Sequence, residues 1–259
     1  MAPMDESGSA CQSFLDAGQY TADSILKYEL VYGTNFVSPG GARCATRLIK
    51  KLGLPASARV LDVGCGLGGS AFLMAQDFDL DVDAIDLSEN MLTLARERLV
   101  QTGLKKRVQL KNQDCLELCV QNYYDAIYSR DVFLHIHDKQ KLFSNLYTAL
   151  KPSGKLLFTD YCCDEKPWQS NFSAYVENRG YHLCTVSDYR KLLEAAGFGI
   201  IEALDRTEDF IWFCKMELDT INSLDIAHSD QTSLKNDWLK KIERARASNQ
   251  RWGMFYASK

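Results

Sequence analysis

A chain of 259 residues, 46% of them hydrophobic, can bury one substantial core, and its length fits a single α/β domain with an added lid. Charged residues make up 25% and the formal net charge is −4, which argues against a domain-wide attraction to DNA or RNA. The nine cysteines are odd in number and contain no CxxC pair, so the sequence predicts neither a disulfide framework nor a metal site, and a reducing cytoplasm fits.

The first residues, MAPMDESGSACQSFLDAG, mix small and polar types without a basic-then-apolar pattern; a loose or short helical lead-in is expected, with no secretory or mitochondrial signal. No apolar stretch approaches the roughly 20 residues needed to cross a bilayer, so no stable membrane insertion is expected. Helical spacing runs from Thr21 to Val31, a turn-rich loop from Asn35 to Gly41, and a second helix from Arg43 to Leu52, stopped by Gly53 and Pro55.

Strands and helices then alternate. ARVLDVG (58–64) reads as a strand, Gly69 to Asp77 as a helix, VDAID (82–86) as a strand, and Glu89 to Gln101 as a helix with Ser88 as N-cap. Strands are predicted at Val108 to Lys111 and Tyr124 to Tyr128, a helix at Asp138 to Leu150, a Pro-Ser-Gly turn, and a strand at KLLFTDY (155–161). This alternation calls for a parallel sheet covered on both faces, with ligands at the carboxyl ends of its strands.

A segment rich in aromatics and charges follows, CCDEKPWQSNFSAYVENRGYHLCTV. It is too long for an ordinary connection and is expected to cover a ligand. A helix from Ser187 to Ala196, a strand from Gly199 to Leu204, a helix from Phe210 to Ile221, a polar linker SLDIAHSDQT, a helix from Lys235 to Ala247 and the closing RWGMFYAS complete the chain. The expected organisation is one domain: an N-terminal helical cap (1–52), a cofactor-binding core (58–161), a substrate lid (162–185) and the rest of the core (186–259).

LDVGCGLGG (61–69) puts Gly64, Gly66 and Gly68 on the turn leaving the first strand, where the backbone must bend sharply and approach a ligand. Gly64, Gly66 and Gly69 also satisfy GxGxxG, so the glycines alone do not separate a dinucleotide from another nucleotide cofactor. Asp86, 22 residues beyond Gly64 and ending the second strand, suits a ribose diol, and Asp114 lies one strand further along the same edge. An adenosine with its base between Leu87 and Asp114 uses both acids and leaves no need for a pyrophosphate pocket. Asp62 is placed to hold a cationic amino group through water.

The fourth strand ends in SRDVFLH (129–135). There Asp131 can hold a cationic amine, and Arg130 can engage cofactor or lid without deep burial. His135, four residues after Asp131 on a short helical turn, is a candidate base. His137 reads as a surface histidine.

Together QYTADSILKYE (19–29), VSPGG (37–41), LDVGCGLGG, SRDVFLH, TDYC (159–162), YVENRGY (175–181) and the tail WLKKIERARASNQRWGMFYASK closely resemble the phosphoethanolamine N-methyltransferases of the single-domain Plasmodium type. The resemblance covers nearly the whole chain. It implies the Rossmann-like, seven-stranded class I methyltransferase fold, mostly parallel with an antiparallel last strand, plus N-terminal helices and a lid insertion after strand five. It further implies S-adenosylmethionine as cofactor, S-adenosylhomocysteine as product, and methylation of phosphoethanolamine through its mono- and dimethyl forms to phosphocholine.

By that resemblance Tyr20, His135 and Asp131 are catalytic, Tyr20 and His135 forming a dyad and Asp131 binding the amine. Val37, Ser38, Gly64, Gly66, Asp86, Leu87, Asp114, Cys115 and Arg130 contact cofactor. Gln19, Tyr28, Asp131, Tyr161, Tyr175, Arg179, Tyr181 and Lys241 surround the substrate, Lys241 by alignment only, since its run of alternating charges also suits a solvated helix face. Pro39 and the short segment after His135 depart from the pattern peripherally. The residue chemistry agrees: an Arg fork, a Lys and tyrosine hydroxyls suit a phosphate monoester, and aromatic faces suit a quaternary ammonium product.

Three other readings stay open: a methyltransferase confined to mono- and dimethylphosphoethanolamine, one for another small amine or a sterol-like lipid, and a scaffold that binds cofactor without catalysis. The expected partner is a small phosphobase, not nucleic acid; the expected state is a cytoplasmic monomer.

Overall fold

The computed structural model describes residues 16–17, 21–247 and 249–259. Two helices come first, α1 (Ala22–Tyr32) and α2 (Gly41–Leu52). The alternating part comprises β1 (Arg59–Val63), α3 (Gly69–Asp77), β2 (Asp81–Asp86), α4 (Glu89–Thr102), β3 (Val108–Asn112), β4 (Tyr124–Arg130), α5 (Lys139–Ala149) and β5 (Leu150–Cys163). Then come α6 (Ser170–Arg179), α7 (Val186–Ala195), β6 (Gly199–Asp205), α8 (Thr207–Ser223), α9 (His228–Arg246) and β7 (Gln250–Ser258).

The seven strands form one sheet in the order β3-β2-β1-β4-β5-β7-β6. Strands β1 to β5 pair in parallel, and β7 is antiparallel to both β5 and β6. This is the expected mostly parallel sheet with an antiparallel last strand. The switch in strand order falls between β1 and β4, where a doubly wound sheet opens a crevice at its carboxyl edge.

Register decides what meets there. Val63 pairs with both Ile85 and Ser129, and Arg130 pairs with Thr159. Gly64, Asp86, Asp131 and Tyr161 therefore emerge on one edge although they are distant in sequence. Alternation along the strands divides the core between the two faces. Leu61, Val63, Ile127, Leu156 and Phe158 belong to one apolar cluster, and Val60, Val82, Ala126, Tyr128 and Leu157 to the other. Both faces are covered, as a parallel sheet requires.

The segment after β5 is fastened at each end. The Asp164 amide donates to Asn249 O, and Arg251 pairs with the Asp164 carboxylate at 2.7 Å. At the far end the Cys163 amide donates to Cys184 O and the His182 amide to Leu134 O. Phe172 and Val176 of α6, with Cys163, anchor a small apolar cluster that includes Tyr175 and Tyr181.

Several boundaries differ from the sequence expectation. Residues 228–232 of the expected linker begin α9, whose early turns are polar because little of that helix is buried before Leu234. The Pro152-Ser153-Gly154 turn lies within β5 as a register shift against β4. Only a 3-10 turn, Cys115–Glu117, separates β3 from β4. Strand β4 continues to Arg130, which is 5% exposed, so the expectation that this charge avoids deep burial is wrong. Among the described residues no helix is long and apolar enough to cross a membrane.

Candidate active site

Along the carboxyl edge of the sheet runs a cavity of about 1330 Å3, counting its open mouth. All nine residues expected to contact cofactor line it: Val37, Ser38, Gly64, Gly66, Asp86, Leu87, Asp114, Cys115 and Arg130. So do Asp131, His135, Tyr28, Tyr161, Tyr175, Arg179, Tyr181 and Lys241. Gln19 and Tyr20 lie outside the described residues.

At the glycine turn, Gly64 holds φ 71°, and a Cβ there would lie 2.2 Å from Val132 Cγ2. Glycine thus lets the turn leaving β1 and the segment leaving β4 close against each other. At Gly66, with φ 53°, a Cβ would project toward Val37. Asp86 accepts the Gly66 amide on Oδ2 and the Ser88 amide on Oδ1, each at 2.8 Å. Each oxygen keeps a lone pair for a ligand hydroxyl. Burial raises the pKa of this carboxyl against the pull of those bonds. Asp114 caps its 3-10 turn, accepting the Leu116 amide at 2.8 Å. Both acids serve as backbone caps and also line the cavity. Asp16 joins this edge, accepting from Ser88 Oγ at 2.5 Å and from the Glu89 amide at 3.2 Å at the start of α4.

Arg130 holds the loop between α1 and α2. Its guanidinium donates to Gly41 O at 3.1 Å and to Pro39 O. From the other side Glu217 of α8 accepts the Gly40 amide at 2.8 Å and Trp238 Nε1 at 2.7 Å. Val37 and Ser38 thus sit on a loop pinned by a buried cation and a buried acid. Sequence reasoning missed Glu217, although it falls on the apolar stripe of Phe210, Phe213, Cys214 and Ile221, and an acid on such a stripe needs a buried partner.

Asp131 stands in the left-handed region, φ 57°. Its Oδ1 accepts Trp252 Nε1 at 2.7 Å, whereas Oδ2 is buried with no hydrogen-bond partner. Burial raises its pKa, with Arg130, Trp252, the adjacent Thr159 hydroxyl and Lys241 opposing. Asp62 has an orphaned buried Oδ2 as well, and burial first, then Asp86, pushes its pKa up to about 7.

Past Asp131 the chain makes a 3-10 turn, Phe133–His135. The His135 and Tyr181 rings meet edge to face at 5.2 Å, and Tyr181 meets Tyr175 at 5.8 Å. Burial, followed by Lys139, Arg179 and His182, lowers the His135 pKa to about 4. The imidazole is neutral at pH 7 and keeps a lone pair. His137 is exposed, its ring against His182 at 4.9 Å. Lys241 turns inward, correcting the solvated-face alternative: Nζ donates to Tyr32 Oη at 2.8 Å and lies 3.6 Å from the Trp238 ring centroid. Burial lowers its pKa and raises that of Tyr161 well above the ordinary range, so Tyr161 remains a neutral hydroxyl donor. Among the described residues no group of three or more His, Cys, Asp or Glu side chains is placed to hold a metal ion.

The cavity thus has a glycine-turned, twin-acid half and a half carrying one acid, two cations and several tyrosines. Residues 40–203 match a family model described as a methyltransferase domain, and with this sheet order that defines the class: a Rossmann-like class I methyltransferase. The chain is 41% identical to phosphoethanolamine N-methyltransferase 1 of Arabidopsis thaliana, over 98% of this chain and 53% of the relative. It is 32% identical to the Plasmodium falciparum phosphoethanolamine N-methyltransferase, over 96% of each. The chain belongs to the phosphoethanolamine N-methyltransferase family. It spans about half the length of the plant relatives. Phosphoethanolamine N-methyltransferase 2 of Haemonchus contortus, solved with phosphomonomethylethanolamine and S-adenosylhomocysteine, superposes with a TM-score of 0.91 at 34% identity, covering 96% of this chain and 60% of that one.

Proposed function

We propose that this chain methylates the amine of phosphoethanolamine, through the mono- and dimethyl forms, to phosphocholine, with S-adenosylmethionine as donor. The observation that carries this reading is a single cavity lined by both Asp131, with its unpartnered buried oxygen, and the Arg179, Lys241, Tyr161, Tyr175 and Tyr181 set. One end suits a cation and the other a phosphate monoester.

The turn held by Gly64 and Gly66 lines the cavity, and Asp86 and Asp114 keep acceptor capacity for an adenosine; the residues fit S-adenosylmethionine. When bound, the sulfonium supplies an already activated methyl group. What remains for the protein is alignment and proton handling.

Asp131 orients the amine and stabilises the positive charge that grows on nitrogen. An amine with a lysine-like pKa of about 10 is almost wholly protonated at pH 7, so a proton must leave before transfer. His135 is neutral and can accept it, but with a pKa of about 4 it is a weak acceptor. A phosphate dianion at Arg179 offsets one of the cations that depress His135 and raises its basicity. Substrate binding thereby prepares the base. Tyr20 is assigned the dyad partner's role by the family resemblance alone.

A cytoplasmic monomer acting on a small phosphobase, without nucleic acid, completes the proposal. The single-domain Plasmodium type is supported by that relative's match over 96% of each chain; the size of the protein in its own cells decides it. The function is tested by giving purified protein and S-adenosylmethionine phosphoethanolamine, its mono- and dimethyl forms, and ethanolamine separately, with products identified by mass. Methylation of all three phosphobases and at least a hundredfold preference over ethanolamine is expected. Equal use of ethanolamine, or no reaction with phosphoethanolamine, overturns it.

A further inference from the structure

Behind the His135 turn lies a buried cation that the proposed reaction does not use. Lys139, the first residue of α5, is 5% exposed. Its ammonium donates to Ile136 O at 2.7 Å and to His182 O at 2.5 Å, and lies 5.9 Å from the Tyr189 ring centroid. The Tyr189 hydroxyl donates to Asp160, a carboxyl wholly buried behind the turn.

This is a costly place for a lysine. Lysines are almost never fully buried unless paired, and the first turn of a helix favours anions over cations. No carboxylate lies within ion-pair distance of this ammonium among the described residues; its bonds go to two main-chain carbonyls. Those carbonyls are informative. Ile136 follows His135 and His182 follows Tyr181, and the His182 amide donates to Leu134 O at 2.7 Å. Three hydrogen bonds therefore join the turn bearing His135 to the end of the insertion bearing Tyr181, where the two rings meet.

We propose that Lys139 is a positioning residue for proton handling: by clasping the carbonyls of Ile136 and His182, its ammonium fixes His135 against Tyr181. It touches neither substrate nor cofactor in this role. Apolar packing alone could hold α5 in place, but it would not tie two loops together through their carbonyls.

The charge of Lys139 has a separate consequence. His135 is faced by Lys139, Arg179 and His182, with the Tyr181 ring beside it; Lys139 is faced by Asp160, Cys162, Cys163, Cys184 and Tyr189. Removing the ammonium removes a cation that disfavours imidazolium, which by itself makes His135 a better base, so a fall in kcat on its removal reports lost positioning and not lost basicity.

The inference rests on the proton-handling role proposed for His135, and its test separates the two. Full-length wild type, Lys139→Met and Lys139→Arg are compared. Imidazole NMR titration, with the His135 signal assigned from His135→Gln, requires no turnover; the midpoint is expected to rise by about one unit in Lys139→Met and stay near wild type in Lys139→Arg. With phosphoethanolamine, kcat is expected to fall at least tenfold in Lys139→Met and less in Lys139→Arg, while S-adenosylhomocysteine affinity stays within threefold. If Lys139→Met does not fold, Lys139→Arg decides through its kcat loss at near-normal melting temperature. A wild-type kcat in either folded variant, or parallel losses of kcat and S-adenosylhomocysteine affinity, overturns the inference. An inactive wild type with the expected NMR shift overturns the proposed reaction and leaves the electrostatic link standing.

Discussion

Asp131→Asn separates function from stability, because one atom is asked to do opposite things in the free and working protein. In the free protein Oδ2 is buried without a partner, and the raised pKa of the carboxyl shows that its surroundings, Arg130 included, favour the neutral form on balance. A group whose folded pKa lies above its unfolded value loses stability as pH rises through the folded pKa. Asparagine keeps the oxygen that accepts Trp252 Nε1 at 2.7 Å and removes the ionisation. The new amide nitrogen can donate to the Thr159 hydroxyl beside it, which is itself buried without a partner, so relief of about 1–2 kcal/mol raises the melting temperature by roughly 2–8 °C for a chain of this size. Activity moves the other way. A hydrogen bond between charged groups is worth about 1.5–3 kcal/mol, so kcat/KM for phosphoethanolamine falls roughly 10- to 150-fold. Part of the loss appears in kcat, because the charge on nitrogen grows toward the transition state. Scanning calorimetry at pH 8 and product mass assays measure the two arms. A kcat/KM within threefold of wild type, or a lowered melting temperature, refutes the reasoning.

Arg130→Met deprives the Pro39 and Gly41 carbonyls of their buried donor; urea unfolding should show a loss of about 2–4 kcal/mol, and calorimetric titration should show weaker S-adenosylhomocysteine binding as Val37 and Ser38 lose their support. The His135 pKa is depressed to about 4 from 6.5, so the stability this contributes is complete above pH 6.5 and disappears as pH falls toward 4. Urea midpoints across that window should fall by the equivalent of at most about 3 kcal/mol, and the slope should flatten in His135→Gln. Gly64→Ala should unfold at lower temperature than Gly103→Ala: both sites have positive φ, 71° and 73°, but only at Gly64 would the added methyl strike Val132. Equal melting temperatures would show that backbone conformation alone sets the requirement for glycine at residue 64.

The parallel strands were legible because each is a short segment with apolar residues at alternate or successive positions, set off by turn residues, and the helices of the core because their apolar positions recur at helical spacing. The start of α9 was not, since HSDQTS carries no apolar stripe. Position on a strand end sufficed to bring Asp86, Asp114 and Asp131 to the cavity, because in a parallel sheet every such end faces the same way. The bonds those acids make were hidden. Trp252 reaches Asp131 across 121 residues, through a pairing that sets Tyr161 opposite Trp252; a sequence signals that a last strand exists but not its register. Arg130 was misjudged for a related reason: a guanidinium reads as a surface group until the loop carbonyls that receive it are in place.

The buried charges form a pattern that bears on substrate choice. Asp62 and Asp160, with pKa values pushed up to about 7 and 8, lie on β1 and β5 behind the cavity wall, whereas Asp131, after β4, lines the cavity at the proposed amine end with its pKa also raised by burial. Arg179 and Lys241 stand among tyrosine hydroxyls at the other. Neither Asp131 nor Lys241 forms an ion pair in the free protein, among the described residues. A substrate cationic at one end and dianionic at the other relieves both at once. A neutral lipid relieves neither, and ethanolamine relieves only one. On the proposed reading, discrimination against ethanolamine therefore arises from desolvation already imposed on the protein, which only a ligand with both charges reverses. The preference should then persist in high salt, because charges buried on both sides of the contact are weakly screened. A preference for phosphoethanolamine that vanished at 1 M salt would place the phosphate contact at the surface instead.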